Sequence, residues 1–173
     1  NGNEYVVISP NRHLYNRMDG EGKKSSYLLG IREVAKDFLA KDLSVIFMSN
    51  EMDESSGKLE DDRMLCVMLS RMFEAEEAVY SSELWFSADQ IQSILSGSEF
   101  IVASRYHTAI LGLAIGKPVY SIGWSHKYKE LMKSFDLDSY SIDPRDVAVD
   151  TLVSLVASSF DNRRESSDKI SKN

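Results

Sequence analysis

Phe100-Ile101-Val102-Ala103-Ser104-Arg105-Tyr106-His107-Thr108 runs from a short apolar, strand-like segment straight into a helix-period one. Pro118-Val119-Tyr120-Ser121-Ile122, followed by Ser125-His126-Lys127-Tyr128, repeats the arrangement. Strand, tight turn and helix, taken twice in succession, is the pattern of a parallel α/β sheet, because parallel strands need a crossover and a helix usually supplies it. The helix between the two strands, Tyr106–Ile115, is almost wholly apolar and closes at Gly116, a residue suited to a left-handed C-terminal cap. A helix of that composition is expected to be buried, with central strands around it.

The alternation continues in both directions. Tyr5-Val6-Val7-Ile8 predicts a first strand ending at Ser9-Pro10, and Asn11 to Lys24 a polar, glycine-containing connection. Ser26–Leu39 predicts a helix, since Leu28, Ile31, Val34, Ala35 and Phe38 fall at helical spacing. Ser44–Met48 reads as the second strand, about Leu59–Phe73 as the next helix (Leu65, Met68, Leu69 and Met72 on one face), and Glu77–Ser81 as a short third strand. Ser87-Ala88-Asp89-Gln90 has capping-box form and opens a helix that stops near Gly97, with Trp85-Phe86 read as its staple. Phe100–Ala103 and Pro118–Ile122 are the fourth and fifth strands. A helix over His126–Phe135, a short strand around Tyr140–Ile142 and a last amphipathic helix from about Asp150 to Phe160 follow. The expectation is one Rossmann-like domain over residues 1–160, a parallel sheet with helices on both faces. Residues 161–173 turn polar and read as a solvated helix end or frayed tail.

The 173 residues, 43% hydrophobic, are enough for a real core. A net charge of −7 weighs against nucleic acid or an anionic membrane as the main partner. One cysteine, Cys66, excludes an internal disulfide and any cysteine-rich metal site. No apolar run reaches the roughly 18 residues of a transmembrane segment, and no basic-then-apolar leader precedes the first strand. The chain opens at Asn1 and almost at once on a strand, so it reads as a piece of a longer protein whose N-terminal half is absent.

In a parallel sheet every strand-to-helix loop lies on one edge, and ligands bind there, in the crevice where the strand order reverses. Right-handed crossovers put strands four and five side by side or nearly so, which brings their loops within about 10 Å. The loop after strand one (Ser9, Asn11, Arg12, His13) and Ser49-Asn50 open on the same edge. A cation in the first turn of a helix is unfavourable, because the exposed backbone N–H groups already make that end positive. Arg105, His107 and Lys127 stand at two successive helix starts, which points to an anionic ligand that offsets the repulsion. Arg105 offers a planar fork for a phosphate or carboxylate, Lys127 a compact charge for a departing oxyanion, and His107 a proton donor or acceptor near neutral pH. Ser104, Thr108 and Ser125 can bond an oxyanion or cap their helices, Trp124 can wall a pocket, and Ser9 and Asn11 complete the candidate substrate contacts. For His13 the sequence favours neither a loop residue nor a ligand; His126, Cys66 and the seven methionines read as structural. H-E-x-x-H, paired-cysteine, G-x-G-x-x-G and G-K-[ST] patterns are all missing, so zinc, dinucleotide and P-loop readings have no support and no metal is expected.

The stretch Phe100–Leu137 resembles the C-terminal half of the polysaccharide pyruvyl transferase family. The resemblance rests on S-R-x-H at the end of the fourth strand, the small-residue helix with A-x-G-x-P-V, and W-S-x-K-Y-x-E-L after the fifth; V-V-I-S-P-N also looks like the start of that family's second domain. It implies a GT-B-like enzyme of two Rossmann-like halves with its active site in the cleft between them. The implied reaction moves the pyruvyl group of phosphoenolpyruvate onto two hydroxyls of a saccharide, free or lipid-linked, as a cyclic ketal, and releases phosphate. The resemblance makes His107 the general acid and Arg105 and Lys127 anion-binding or catalytic residues, with no cofactor beyond the donor. It also implies a further basic residue and much of the acceptor site from the N-terminal half of the same protein. The segment Ser49–Gly57 lacks the histidine often seen after the second strand in relatives. Such a donor implies a cytoplasmic enzyme of polysaccharide biosynthesis, free or peripheral to the membrane.

Two other functions compete. A GT-B glycosyltransferase half that binds a nucleotide-sugar would share the fold, but usually carries a glutamate for the donor ribose; Glu130, in a helix body, is the candidate. A non-catalytic phosphate- or glycan-binding domain is the other, and the joint presence of Arg105, His107 and Lys127 speaks against it.

Overall fold

The computed structural model describes residues 4–18, 20–50, 61–73, 78–81, 86–145 and 147–172. Among them, strands and helices alternate: β1 (Tyr5–Ser9), α1 (Arg12–Arg17), α2 (Gly20–Leu39), β2 (Ser44–Phe47), α3 (Arg63–Arg71), β3 (Val79–Ser81), α4 (Ala88–Gly97) and β4 (Phe100–Ala103). Then come α5 (Tyr106–Ala114), β5 (Val119–Ile122), α6 (His126–Lys133), β6 (Ser141–Ile142), α7 (Val149–Asp161) and α8 (Arg163–Ile170). Every strand pair is parallel, in the order β3-β2-β1-β4-β5-β6. The chain winds outward from β1 to β3, then crosses back to β4 and winds the other way. The order therefore reverses between β1 and β4, and the crevice at their carboxyl ends is the ligand position of such sheets.

Alternation along each strand builds two cores, because successive side chains point to opposite faces. Val6, Ile8, Val45, Phe47, Phe100 and Val102 pack against Ile31, Val34 and Phe38 of α2, Leu65 and Leu69 of α3, and Leu152, Val156 and Phe160 of α7. Phe160 meets Phe38 and Phe100 edge to face at ring separations of 5.3 and 5.6 Å. Val7, Ile101, Ala103 and Val119 face the other way, onto Ile91 and Leu95 of α4, Ala109 and Leu113 of α5 and Met132 of α6. At Gly112 an added Cβ would stand 2.7 Å from Val119 Cγ2 and 2.8 Å from Ile101 Cδ1, so α5 lies close down on β4 and β5.

Three expectations need correction. Asn11 to Lys24 is not a simple connection: it forms α1 and the first turn of α2, which Gly20 enters at φ +78. Its polar composition is overridden by Leu14 and Met18, spaced for one helix face and both buried in the first core. The apolar helix α5 is only half buried. Thr108, Ala109, Gly112 and Leu113 face the sheet, whereas His107, Ile110, Leu111 and Ala114 lie on an exposed face. Of the two readings of the segment after Asp161 the helix is the one found, but it is not simply solvated, since α8 inserts Ile170 into the second core and buries Ser166. Smaller differences fall at element ends: Met72 is exposed just beyond α3, while the expected start of that helix near Leu59, and Trp85, lie outside the described residues. Among the described residues no helix is long and apolar enough to cross a membrane.

Candidate functional site

The loops after β1, β4 and β5 meet at the reversal point and are stitched together there by buried polar groups. The carbonyl of Ser104, directly after β4, accepts from Asn11 Nδ2 at 2.9 Å and from the Tyr128 hydroxyl at 2.9 Å. Asn11 follows β1 and Tyr128 sits in α6, so one backbone oxygen joins all three loops. Burial pushes the Tyr128 hydroxyl above the ordinary tyrosine range, with Arg105 partly opposing, and it stays neutral as the donor this bond requires. Asn11 also caps α1, its Oδ1 accepting from Leu14 N at 2.9 Å. Ser9 Oγ lies 3.1 Å from Thr108 Oγ1, which accepts from Asn50 Nδ2 at 2.8 Å.

Above this layer lies a cleft of about 230 Å³ lined by Asn11, His13, Arg105, Tyr106, His107, Trp124, Lys127 and Tyr128. The sequence-predicted convergence is therefore present for Arg105, His107, Lys127, Trp124 and Asn11. It is absent for three others: Ser9, Ser104 and Thr108, expected to touch substrate, are buried under the cleft and hold its loops together. Ser125 stands at the start of α6, outside the cleft lining, and its side chain makes no cap bond there. Glu130 is exposed in the body of α6 and likewise does not line the cleft.

Arg105 is placed differently from the open fork that its sequence position suggests. Its Nε and Nη2 donate to the two carboxylate oxygens of Asp62, each at 2.8 Å, and the Asp62 side chain is fully buried while that of Arg105 is 11% exposed. Asp62 Oδ1 also accepts from the backbone N–H of Arg12 at 2.7 Å. Sequence reasoning missed Asp62, because a helix expected from about Leu59 puts it among the polar residues of the first turn, where an aspartate is ordinary. Here its side chain makes no cap bond and reaches across to α1 and α5 instead.

The remaining cations share an aromatic wall. Lys127 Nζ lies 4.4 Å from the centre of the Tyr106 ring, which stacks edge to face on Tyr128 at 5.4 Å. Trp124 carries the Arg17 guanidinium at 4.7 Å and stands 6.3 Å from the His13 ring. His13, His107 and Lys127 each occupy the second position of their helix, so α1, α5 and α6 each deliver one basic side chain to the same cleft. Neither Arg105 nor Ser125, the residues that precede α5 and α6, makes a side-chain cap bond to its own helix, and the backbone N–H of Tyr106 at the start of α5 meets the Tyr128 hydroxyl. Gly123 makes room for the Tyr128 ring, whose atoms lie 2.2–2.5 Å from where a Cβ would sit. Gly123→Ala must push the ring out, and is expected to cost about 1–3 kcal/mol in thermal unfolding as an overpacking substitution. An unchanged melting temperature would show that this ring is not held there.

Residues 7–126 match the polysaccharide pyruvyl transferase family. The chain belongs to this family. The matched region runs from β1 to the first residue of α6 and so includes Asn11, His13, Arg105, Tyr106, His107 and Trp124 of the cleft, while Lys127 and Tyr128 lie just beyond it. Over 112 residues the chain is 22% identical to the amylovoran biosynthesis protein AmsJ of Erwinia amylovora, covering 65% of this chain and 27% of that protein. It thus spans about a quarter of the length of this curated relative. Among solved structures, it resembles the UDP-GlcNAc 2-epimerase of Methanocaldococcus jannaschii with a TM-score of 0.61 and 12% identity, covering 98% of this chain and 44% of that one. The kitacinnamycin glycosyltransferase gives a TM-score of 0.58 and 14% identity, covering 99% and 38%. These likenesses are of fold: this pyruvyl transferase family domain has the architecture of one half of GT-B-like transferases and epimerases.

Proposed function

We propose that the chain supplies one wall of a site that transfers the pyruvyl group of phosphoenolpyruvate to two hydroxyls of a saccharide, free or lipid-linked, in the cytoplasm. The observation that carries this reading is the meeting of Arg105, His107 and Lys127 in one small cleft at the strand-order reversal, at the starts of two successive helices. His107 protonates the methylene carbon of the donor and leaves an oxocarbenium-like centre at C2. One saccharide hydroxyl adds to it, phosphate departs, and a second hydroxyl closes the ketal. Of the two hydroxyl protons released, one restores His107 and the other leaves on phosphate. Lys127 and the helix N-termini stabilise the leaving phosphate, and Arg105, held by Asp62, orients the donor. A volume of about 230 Å³ also suits a three-carbon phosphate, since pockets for drug-sized ligands run from about 300 to 1,000 Å³. The rest of the acceptor site comes from another part of the same protein, in keeping with the fraction of AmsJ that the chain covers.

Amide NMR titration with phosphoenolpyruvate, and separately with UDP, tests the reading. The expected result is shifts at Ser104–Thr108 and Trp124–Tyr128 with phosphoenolpyruvate alone, weakened severalfold in Lys127→Met. Lys127 is exposed, so that variant keeps the fold. Arg105→Ala is a poor substitute, because it strips the partner from a buried carboxylate. Shifts at these residues with UDP and none with phosphoenolpyruvate would replace the reading by nucleotide-sugar binding.

A further inference from the structure

Asp62 lies in none of the motifs that mark the cleft, yet it touches two of its walls. Its carboxylate holds Arg105 through two parallel hydrogen bonds of 2.8 Å and the Arg12 backbone N–H at 2.7 Å. Arg105 precedes α5, with His107 two residues on; Arg12 opens α1, with His13 the next residue. One fully buried carboxylate thus sets how the starts of α1 and α5, and the basic side chains they carry, stand relative to each other. Stability alone is a weak reason for such a pair, because a buried ion pair is often no better than apolar side chains of the same volume. A pair whose cation lines a cleft has another use. Arg105 has adopted extended backbone (φ −96, ψ 130) and makes no cap bond to its own helix. Its guanidinium is instead held at two points by the Asp62 carboxylate, and a bidentate pair fixes the direction of the fork as a single bond does not.

We propose that Asp62 is a positioning residue for the anion site: it orients Arg105 and registers α1 against α5, so that the cleft distinguishes an extended donor carrying both carboxylate and phosphate from phosphate alone. This rests on the phosphoenolpyruvate reading for the identity of the donor. The clamp also cancels most of the Arg105 charge at short range. The net attraction for anions then falls to Lys127, the histidines and the helix ends, while Arg105 contributes direction.

The test compares the unaltered chain with Asp62→Asn and Asp62→Glu, titrating each with phosphoenolpyruvate and with inorganic phosphate by amide and arginine Nε–H NMR, beside thermal unfolding. Asparagine keeps the shape but removes the charge, so inorganic phosphate should bind at least as well. The preference for phosphoenolpyruvate over phosphate should fall about fivefold or more, and the Arg105 Nε–H signal should lose its protection from exchange. Asp62→Glu should recover part of the preference. An unchanged preference in folded Asp62→Asn would overturn the proposal, even with a lowered melting temperature, since that is all a structural role predicts. If the unaltered chain does not prefer phosphoenolpyruvate, the donor reading fails on its own. Asp62 is then judged with phosphate: altered phosphate-induced shifts at Arg105 and His107 in Asp62→Asn sustain its positioning role, and identical shifts overturn it.

Discussion

Replacing His107 by glutamine in the full-length protein is expected, on the proposed reaction, to lower the rate of pyruvyl transfer about 10²- to 10⁴-fold, the usual range for losing a general acid. The imidazole is exposed at the second position of α5, and the buried contacts of that helix come from Thr108, Ala109, Gly112 and Leu113. The substitution should therefore leave the melting temperature almost unchanged and reduce phosphoenolpyruvate affinity only a few-fold. Turnover is followed as acceptor-dependent phosphate release. In deuterated water, incorporation of one deuterium into the new methyl group reports the protonation step directly. A variant that retains most of its turnover would remove His107 from the role of acid and leave the proton to another group in the cleft, with His13 the first to examine.

The second large effect concerns stability. Asp62→Ala leaves the Arg105 guanidinium, 11% exposed, without its carboxylate and the Arg12 N–H without its acceptor. Breaking one side of a buried pair costs about 3–5 kcal/mol. At about 2–4 °C per kcal/mol for a domain of this size, the melting temperature should fall by about 6–20 °C. The double variant Asp62→Ala with Arg105→Met should be more stable than Asp62→Ala, because it removes the stranded charge as well. A melting temperature within about 2 °C of the unaltered chain for Asp62→Ala would mean that Arg105 is well solvated without its partner, and that the clamp is weaker than its geometry indicates.

The opposite phenotypes of these two positions follow from where they sit. His107 is at a surface that packing ignores, so its loss is chemical. Asp62 is beneath that surface, so its loss is felt first by the fold. Arg105 stands between them, lining the cleft on one side and filling a buried carboxylate on the other. That position makes its alanine variant ambiguous as evidence of catalysis.

Much of this was legible in the chain alone. The short continuous apolar runs located β1, β2, β4 and β5 to within about a residue at most ends, because burial on both faces leaves little choice of side chain. The capping box at Ser87 and Gln90 placed the start of α4, since both of its hydrogen bonds are local. The placement of Arg105, His107 and Lys127 in one cleft also followed from sequence, because strand direction and crossover hand are generic rules and require no particular packing.

What sequence could not show is everything that depends on partners far away along the chain. Asp62 and Arg105 are 43 residues apart, and Ser9 and Thr108 are 99 apart; nothing local distinguishes a clamp from a helix cap, or a buried strut from a substrate contact. The helix α1 forms from a polar stretch because Leu14 and Met18 find a core to enter, and α8 is ordered because Ile170 finds another. The chain's own pattern thus determined the parallel sheet, the edge that carries the site and the cations delivered to it, all consequences of short-range periodicity and handedness. Tertiary structure decided which polar groups face the cleft and which hold it together, because that choice is made by burial, and burial exists only once distant segments have packed.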